Sequence, residues 1–402
     1  MTRLFAYGAL SVVLVLYLAE LGLSEPLIGA LLTATLAGDA GISLAITTTA
    51  DRLGRRRMLL LGALLMAAAG VAFLLTRQPA LLILAAIVGV ISPSGNEIGP
   101  FLSIEQAALA QLLPNEQRTR IFAWYNLAGS FTTALGALGG GWLAQALQAN
   151  GMAALDAYRA ILLGYALGGG VLMLLFFGLS PRVEIAPTAH PATTRRLFGL
   201  HRSKAVVLAL SGLFALDAFA GGFVVQSLLA YWFYLRFGAE PGLLGSIFFG
   251  ANLLAGISAL LAARLAARFG LINTMVFTHI PSNVLLCLVP LMPTLPLATA
   301  VMLLRFSISQ MDVPTRQSYT VAVVAPDERS AAAGITNIAR SIGAAASPFL
   351  SGLLLANPLL MNAPLFLAGG LKIAYDLLLY RRFRALEPPE ENHAAGRGPR
   401  RR

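Results

Sequence analysis

Runs of about twenty apolar residues, each ended by a short polar or basic break, recur from one end of this chain to the other. A helix rises ~1.5 Å per residue, so such a run crosses a hydrocarbon layer ~30 Å thick. Within lipid, a helix satisfies its own backbone hydrogen bonds from end to end. Twelve spans read out of the 402 residues: Leu4–Leu21, Leu27–Thr49, Met58–Thr76, Ala80–Ala110, Ile121–Leu147, Ala160–Leu179, Ala205–Leu235, Leu243–Ala263, Asn273–Leu291, Leu297–Val324, Ala331–Ala356 and Leu365–Tyr380. Only 12% of the residues are charged, against roughly a quarter in a soluble domain, and the mean hydropathy is +0.75. The pattern predicts an all-α polytopic membrane protein. The first run opens at Leu4 behind Arg3 alone, so no cleavable leader is expected. A single cysteine, Cys287, excludes an internal disulfide and a cysteine metal cluster.

The net charge of +11 would suit a nucleic-acid partner, but its distribution points elsewhere. With the N-terminus inside, the segments on the cytoplasmic side hold 22 of the 29 Lys and Arg residues; the opposite side holds Arg77, Arg159 and Arg236. Short loops rich in Lys and Arg stay in the cytoplasm, so both termini are expected there and no nucleic acid is expected. Arginine outnumbers lysine 27 to 2, as a GC-rich bacterial genome would produce.

The chain also repeats itself. Glu25-Pro26 and Gly41-Ile42-Ser43 return 215 residues later as Glu240-Pro241 and Gly256-Ile257-Ser258. Arg52-Leu53-Gly54 returns as Arg268-Phe269-Gly270, and Asn126-Leu127-Ala128-Gly129-Ser130 as Asn337-Ile338-Ala339-Arg340-Ser341. Two halves with an even number of spans each are parallel repeats. The reading is an N-terminal six-helix bundle over 1–180, a cytoplasmic linker over 181–204, a C-terminal six-helix bundle over 205–384 and a disordered tail over 385–402.

The loop Ala50-Asp51-Arg52-Leu53-Gly54-Arg55-Arg56-Arg57 joins spans 2 and 3 with four arginines in eight residues. It resembles the D-R-x-G-R-R signature between helices 2 and 3 of the major facilitator superfamily, with Thr47 and Thr49 where a Gly and usually a Leu are expected. With the internal repeat, the resemblance covers nearly the whole chain. It implies twelve helices in two six-helix bundles and an alternating-access transporter whose spans 1, 4, 7 and 10 line a central cavity. It also implies that Asp51 meets the N-terminus of span 11, with Arg52, Gly54 and Arg55 belonging to the same gate. Antiporters of this superfamily commonly carry an arginine in helix 4, and none occurs between Ala80 and Gln117.

Ionisable residues inside the spans are costly unless paired or wetted. They are Asp39, Glu97, Glu105, Asp217, Arg305, Asp312, Arg316, Arg340, Lys372 and Asp376. Lys372 with Asp376, and Asp312 with Arg316, stand four apart and can neutralise each other along one helix face. Glu97 follows Ser92-Pro93-Ser94-Gly95-Asn96, a polar break that weakens span 4. Taken with the implied cavity, Tyr7, Glu97, Asp217, Gln226, Arg305 and Asp312 are the candidate substrate and ion residues, with Ser11 and Tyr17 beside them on span 1. Pairing of Arg305 with Glu97 or Asp217 is the structural alternative. Matching depth predicts two gate pairs, Glu105 with Arg316 and Asp39 with Arg340. No catalytic constellation stands out: of His190, His201, His279 and His393 only His279 lies in a span, and no metal or cofactor is expected.

These features predict a secondary active transporter of a bacterial inner membrane, monomeric, proton-coupled through buried carboxylates and exporting a small organic compound. The aromatic residues of span 7 (Phe214, Phe219, Phe223, Tyr231, Trp232, Phe233) suit an amphipathic cargo, although such residues commonly pack in a core. Uptake of an anionic metabolite with Arg305 as counter-charge is the rival within transport, and a non-transporting membrane sensor is the rival outside it.

Overall fold

The computed structural model describes residues 1–95, 101–112, 115–180, 183–184, 200–325 and 328–384. It is helical throughout, with no strand among the described residues. In chain order the helices are α1 (Thr2–Glu20), α2 (Glu25–Leu53), α3 (Arg55–Leu75), α4 (Pro79–Val88), α5 (Phe101–Leu112), α6 (Asn115–Ala149), α7 (Ala154–Phe177), α8 (Lys204–Gly222), α9 (Gln226–Phe237), α10 (Pro241–Phe269), α11 (Leu271–Leu288), α12 (Leu295–Phe306), α13 (Asp312–Ala322), α14 (Arg329–Leu355) and α15 (Ala363–Phe383). Nine of the described helical segments are long and apolar enough to cross a membrane unaided, and α4 and α12 are shorter apolar pieces.

Three expected spans come as pairs of helices: α4 with α5, α8 with α9, and α12 with α13. The break after α4 falls on the polar run through Ser92 and Pro93, where Gly95 adopts φ +69°, a left-handed conformation that costs glycine nothing. The break at Phe223–Val225 follows Gly221-Gly222, and the break at Ser307–Met311 follows Phe306. Freed backbone groups find partners: the Ser351 hydroxyl donates to the Phe223 carbonyl at 2.9 Å, and Ser227 donates its N–H and hydroxyl to the Pro93 carbonyl at 3.0 and 2.6 Å.

The described residues gather into two compact units. The first comprises Met1–Ala189, Phe223–Leu253 and Ala345–Pro364; the second comprises His190–Gly222, Leu254–Ala344 and Leu365–Arg402. In the first, α1 is sheathed by protein, with every residue from Ala6 to Leu18 buried. Large apolar side chains elsewhere point outward, Leu75 at 82% and Leu174 at 76% exposure among them. Such surface would drive aggregation in water and is what a helix shows to lipid.

Within the first unit two helix crossings approach backbone to backbone. A Cβ on Gly352 would lie 2.3 Å from the Glu25 carbonyl oxygen and 3.0 Å from Gly29 Cα; one on Gly141 would lie 2.3 Å from the Pro241 oxygen and 2.8 Å from Gly245 Cα. Glu25 with Gly29, and Pro241 with Gly245, correspond to within one residue of the 215-residue offset that relates Glu25-Pro26 to Glu240-Pro241. The repeat is therefore expressed in packing, with small residues letting helices touch. The second unit has its own core of Leu210, Phe214, Met275, Val276, Tyr319, Tyr375 and Leu379.

Candidate substrate and coupling site

In the second unit, α8 places Asp217 among basic side chains of three other helices. Its Oδ1 accepts from Lys372 Nζ of α15 at 2.5 Å. Its Oδ2 accepts from Arg340 Nη1 of α14 at 3.0 Å and from Arg316 Nη1 of α13 at 3.1 Å. Asp217 is 3% exposed, and its partners range from 8% (Arg316) through 11% (Lys372) to 30% (Arg340) at the side chain. Arg316 also donates to Asp312 at 2.8 Å, one turn away on α13. One carboxylate thus ties four helices together, and such a buried network is costly to break from one side.

Beside this knot, Asp376 of α15 is wholly buried. His279 Nδ1 of α11 stands 2.9 Å from its Oδ1, and Asn283 Nδ2 donates to Oδ2 at 3.2 Å. The sequence pointed Asp376 to Lys372 and gave no role to His279 or Asn283, although the lone intramembrane histidine at i−4 from an asparagine was the available signal.

One expected pairing is replaced, and the residues of two expected gate pairs have partners within their own units. Lys372 was matched with Asp376 along one helix face, but its ammonium sits on Asp217 and Asp376 is held by His279 instead. Arg340, matched with Asp39 across the halves, sits on Asp217 within its own unit, and Asp39 accepts from Ser43 Oγ at 3.3 Å within the other. Glu105 was matched with Arg316. In the first unit it forms a two-pronged pair with Arg3 of α1, Nη1 to Oε1 at 2.6 Å and Nη2 to Oε2 at 2.8 Å, and accepts from the Tyr125 hydroxyl at 2.5 Å. Within the second unit Arg316 has its local partner Asp312 at 2.8 Å, as well as Asp217.

Other candidates fall in the first unit. Gln226 donates Nε2 to Ser11 Oγ of α1 at 2.7 Å and accepts from Asn252 Nδ2 at 3.1 Å. Gly95, in the α4 break, lies against the same Ser11 hydroxyl. Tyr7 is fully buried against the Tyr165 ring at 6.3 Å between centroids, and Tyr17 donates to the Phe73 carbonyl at 2.5 Å. The span 7 aromatics are largely core: Phe214, Phe223, Tyr231, Trp232 and Phe233 are buried, and Trp232 donates to Asn362 at 3.0 Å. Glu97 and the side chains of Asp51 and Arg52 lie outside the described residues, as do Pro326 and Asp327 in the stretch expected to meet Asp51.

The described part of the signature loop works through helix ends. Gly54 turns the chain at φ +100°. The carboxylate of Glu184 caps α3, accepting from Arg55 N at 2.8 Å and Arg56 N at 3.1 Å. Arg56 in turn donates to the Phe176 carbonyl at 3.3 Å and to that of Phe177 at the end of α7. A carboxylate on free N–H groups and a cation on free carbonyls both complement the helix dipole. The second unit repeats the device, with Glu328 accepting from the backbone N–H groups of His201, Arg202 and Ser203 ahead of α8 and Arg329 Nε donating to the Val321 carbonyl at 3.1 Å. These donors, that of His201 foremost, hold the Glu328 carboxyl down at about 2 from an ordinary value of 4.5.

Helices with apolar outward faces, broken where polar groups meet and crossed by buried ion networks, define a multi-pass membrane transporter rather than an enzyme. The chain matches the sequence profile of the Major Facilitator Superfamily over residues 1–348 and again over 218–401, and it belongs to that superfamily. It is 31% identical over 406 residues to the uncharacterized membrane protein YJR124C of Saccharomyces cerevisiae, covering 94% of this chain and 90% of that protein. Its fold is similar to that of the nucleoside transporter NupG, with a TM-score of 0.72 and 14% identity over 95% of this chain and 96% of that one. A D-xylose–proton symporter is similar at a TM-score of 0.70 and 15% identity, over 94% of this chain and 95% of that one.

Proposed function

We propose that this protein is a secondary active transporter that couples protons to the export of a small organic compound by alternating access. The rocking bodies would be the sequence halves 1–180 and 205–384, with the linker 181–204 and the tail 385–402 on the cytoplasmic side. The excess of Lys and Arg on one side supports cytoplasmic termini, and the arginine-over-lysine bias supports a bacterial inner membrane. A monomer suffices, because one chain carries both repeats.

The observation that carries this reading is Asp217 bound to Lys372, Arg340 and Arg316. The three cations keep this carboxylate ionised while they hold it; when a helix movement draws them away, its burial favours the neutral form and a proton is taken up. Its departure restores the knot, so proton occupancy selects between two helix arrangements. Alternation between discrete arrangements is what moves a site from one face to the other. A scaffold that never moved would have no use for so many buried charges, each of which costs stability.

The test is a strain lacking this gene, grown against panels of toxic compounds and of sole nutrients. Export predicts heightened sensitivity to at least one toxic compound, restored by the wild type and by Asp217→Glu but not by Asp217→Asn at equal membrane abundance. A nutrient defect without any sensitivity would reverse the direction. No phenotype in either panel, with no flux in purified vesicles, would contradict transport.

A further inference from the structure

The charge balance inside the second unit bears on the chemistry of the cargo. Of the ionisable residues inside the spans, the second unit holds four cations, Arg305, Arg316, Arg340 and Lys372, among three carboxylates, Asp217, Asp312 and Asp376. The carboxylates are already engaged. Lys372, Arg340 and Arg316 hold Asp217; Arg316 holds Asp312; His279 and Asn283 hold Asp376.

Arg305 is the cation left over. It is 8% exposed, and its buried Nε has no hydrogen-bond partner among the described residues. Its guanidinium lies 4.9 Å from the centroid of the neighbouring Phe306 ring. Asp312 lies within electrostatic reach, but its Oδ2 is the acceptor for Arg316.

The location favours an anion. Arg305 sits in the last turn of α12, just before the break at Ser307–Met311, and α13 begins beyond that break with no side-chain cap. The N-terminus of α13 adds a second attraction for negative charge, which Asp312 in its first turn meets in part. A structural role for Arg305 at the carbonyl end of α12 would recover only a fraction of what burying an unpaired guanidinium costs. The residue lies ten positions after Leu295, hence ~15 Å along the helix, which puts it near mid-membrane and away from lipid headgroups.

We propose that Arg305 is the recognition residue for an anionic group on the transported compound. A carboxylate or phosphate oxygen accepts from its Nε–H, and a second oxygen accepts from the adjacent Nη–H in the parallel geometry that guanidinium groups favour. The proposal rests on the transporter reading above and narrows its cargo to a small organic anion.

The experiment melts purified full-length protein in discs of zwitterionic lipid, alone and with millimolar benzoate, succinate, inorganic phosphate or glycerol phosphate. Benzyl alcohol and glycerol serve as neutral partners. At least one anion is expected to raise the midpoint by about 2 °C or more, with neither neutral compound doing so; the responding arm separates carboxylate from phosphate. Arg305→Gln should abolish the shift and Arg305→Lys should keep part of it. Without any ligand, Arg305→Gln should melt at or above the wild-type temperature, because an unmatched buried charge has been removed.

A drop of several degrees in that unliganded variant would reveal a protein partner and overturn the proposal. So would stabilisation by the neutral compounds, by none of the anions, or only when the discs contain anionic phosphatidylglycerol. An anion that stabilises through Arg305 yet shows no flux into vesicles would instead sink the transporter reading and leave the anion site standing.

Discussion

Replacing Asp217 by Asn removes one negative charge from contact with three positive ones, at 2.5, 3.0 and 3.1 Å. A unit-charge contact near 3 Å is worth roughly 5 kcal/mol gross at an effective dielectric constant of ~20, and desolvation offsets much of it. The three cations do not lose equally. Arg340 is 30% exposed at the side chain and can turn to water; Arg316 keeps Asp312 at 2.8 Å. Lys372, 11% exposed, is the one left stranded. Removing one member of such a buried pair typically costs ~3–5 kcal/mol, and Asp217→Asn is expected in that range. Lys372→Met alone should cost less, because Asp217 retains two arginines. The double variant Asp217→Asn with Lys372→Met should recover most of the loss, since an apolar side chain replaces the stranded ammonium. Equilibrium unfolding in mixed micelles measures all four corners of the cycle. An Asp217→Asn protein within ~0.5 kcal/mol of wild type, or a double variant no better than Asp217→Asn, would refute the reasoning.

Glu184→Gln should weaken the α3 cap by ~0.5–2 kcal/mol, read as a lowered unfolding midpoint; no change would mean that water replaces the cap. The Glu328 carboxyl is held below its free-chain value, so its contribution is complete above about 4.5 and fades as pH falls toward about 2. The stability gap between wild type and Glu328→Gln should follow that profile, and a gap that widens toward acid would be inconsistent with it. Gly352→Ala must push α14 away from Glu25 and Gly29 and should cost ~1–3 kcal/mol, with raised maleimide labelling of a cysteine at position 30 in a Cys287→Ser background. His279→Ala should cost ~1–3 kcal/mol by stripping Asp376 of one partner, and a neutral result would show that Asn283 suffices.

The architecture was legible because lipid imposes a simple rule: apolar runs of fixed length, with basic loops on one side. The α4 break was legible too, since Ser92, Pro93 and Gly95 interrupt an apolar run. The breaks at Phe223 and Ser307 were not, because each lies within a run that stays helix-like in composition, marked only by Gly221-Gly222 and by Ser307, Ser309 and Gln310. Partners were less legible than positions. Counting residues from the loops placed Arg340 and Glu105 at a depth, but depth leaves open which neighbouring helix a side chain faces. Depth alone suggested Asp39 for Arg340 and Arg316 for Glu105, and gave no hint of the partners they have within their own units, Asp217 and Arg3. Arg3 itself had been read only as a topology charge. Long-range carboxylate caps such as Glu184, 129 residues from Arg55, leave no local pattern at all.

Proton coupling through the Asp217 knot is tested most directly in proteoliposomes carrying a pH-sensitive dye in the lumen. A compound that stabilises the purified protein is added outside, and dye response and compound flux are followed together. Wild type and Asp217→Glu should exchange protons for the compound, the lumen turning alkaline as the compound enters, while Asp217→Asn protein of verified fold should move neither. Compound flux without any proton movement, or proton movement undiminished in Asp217→Asn, would contradict it.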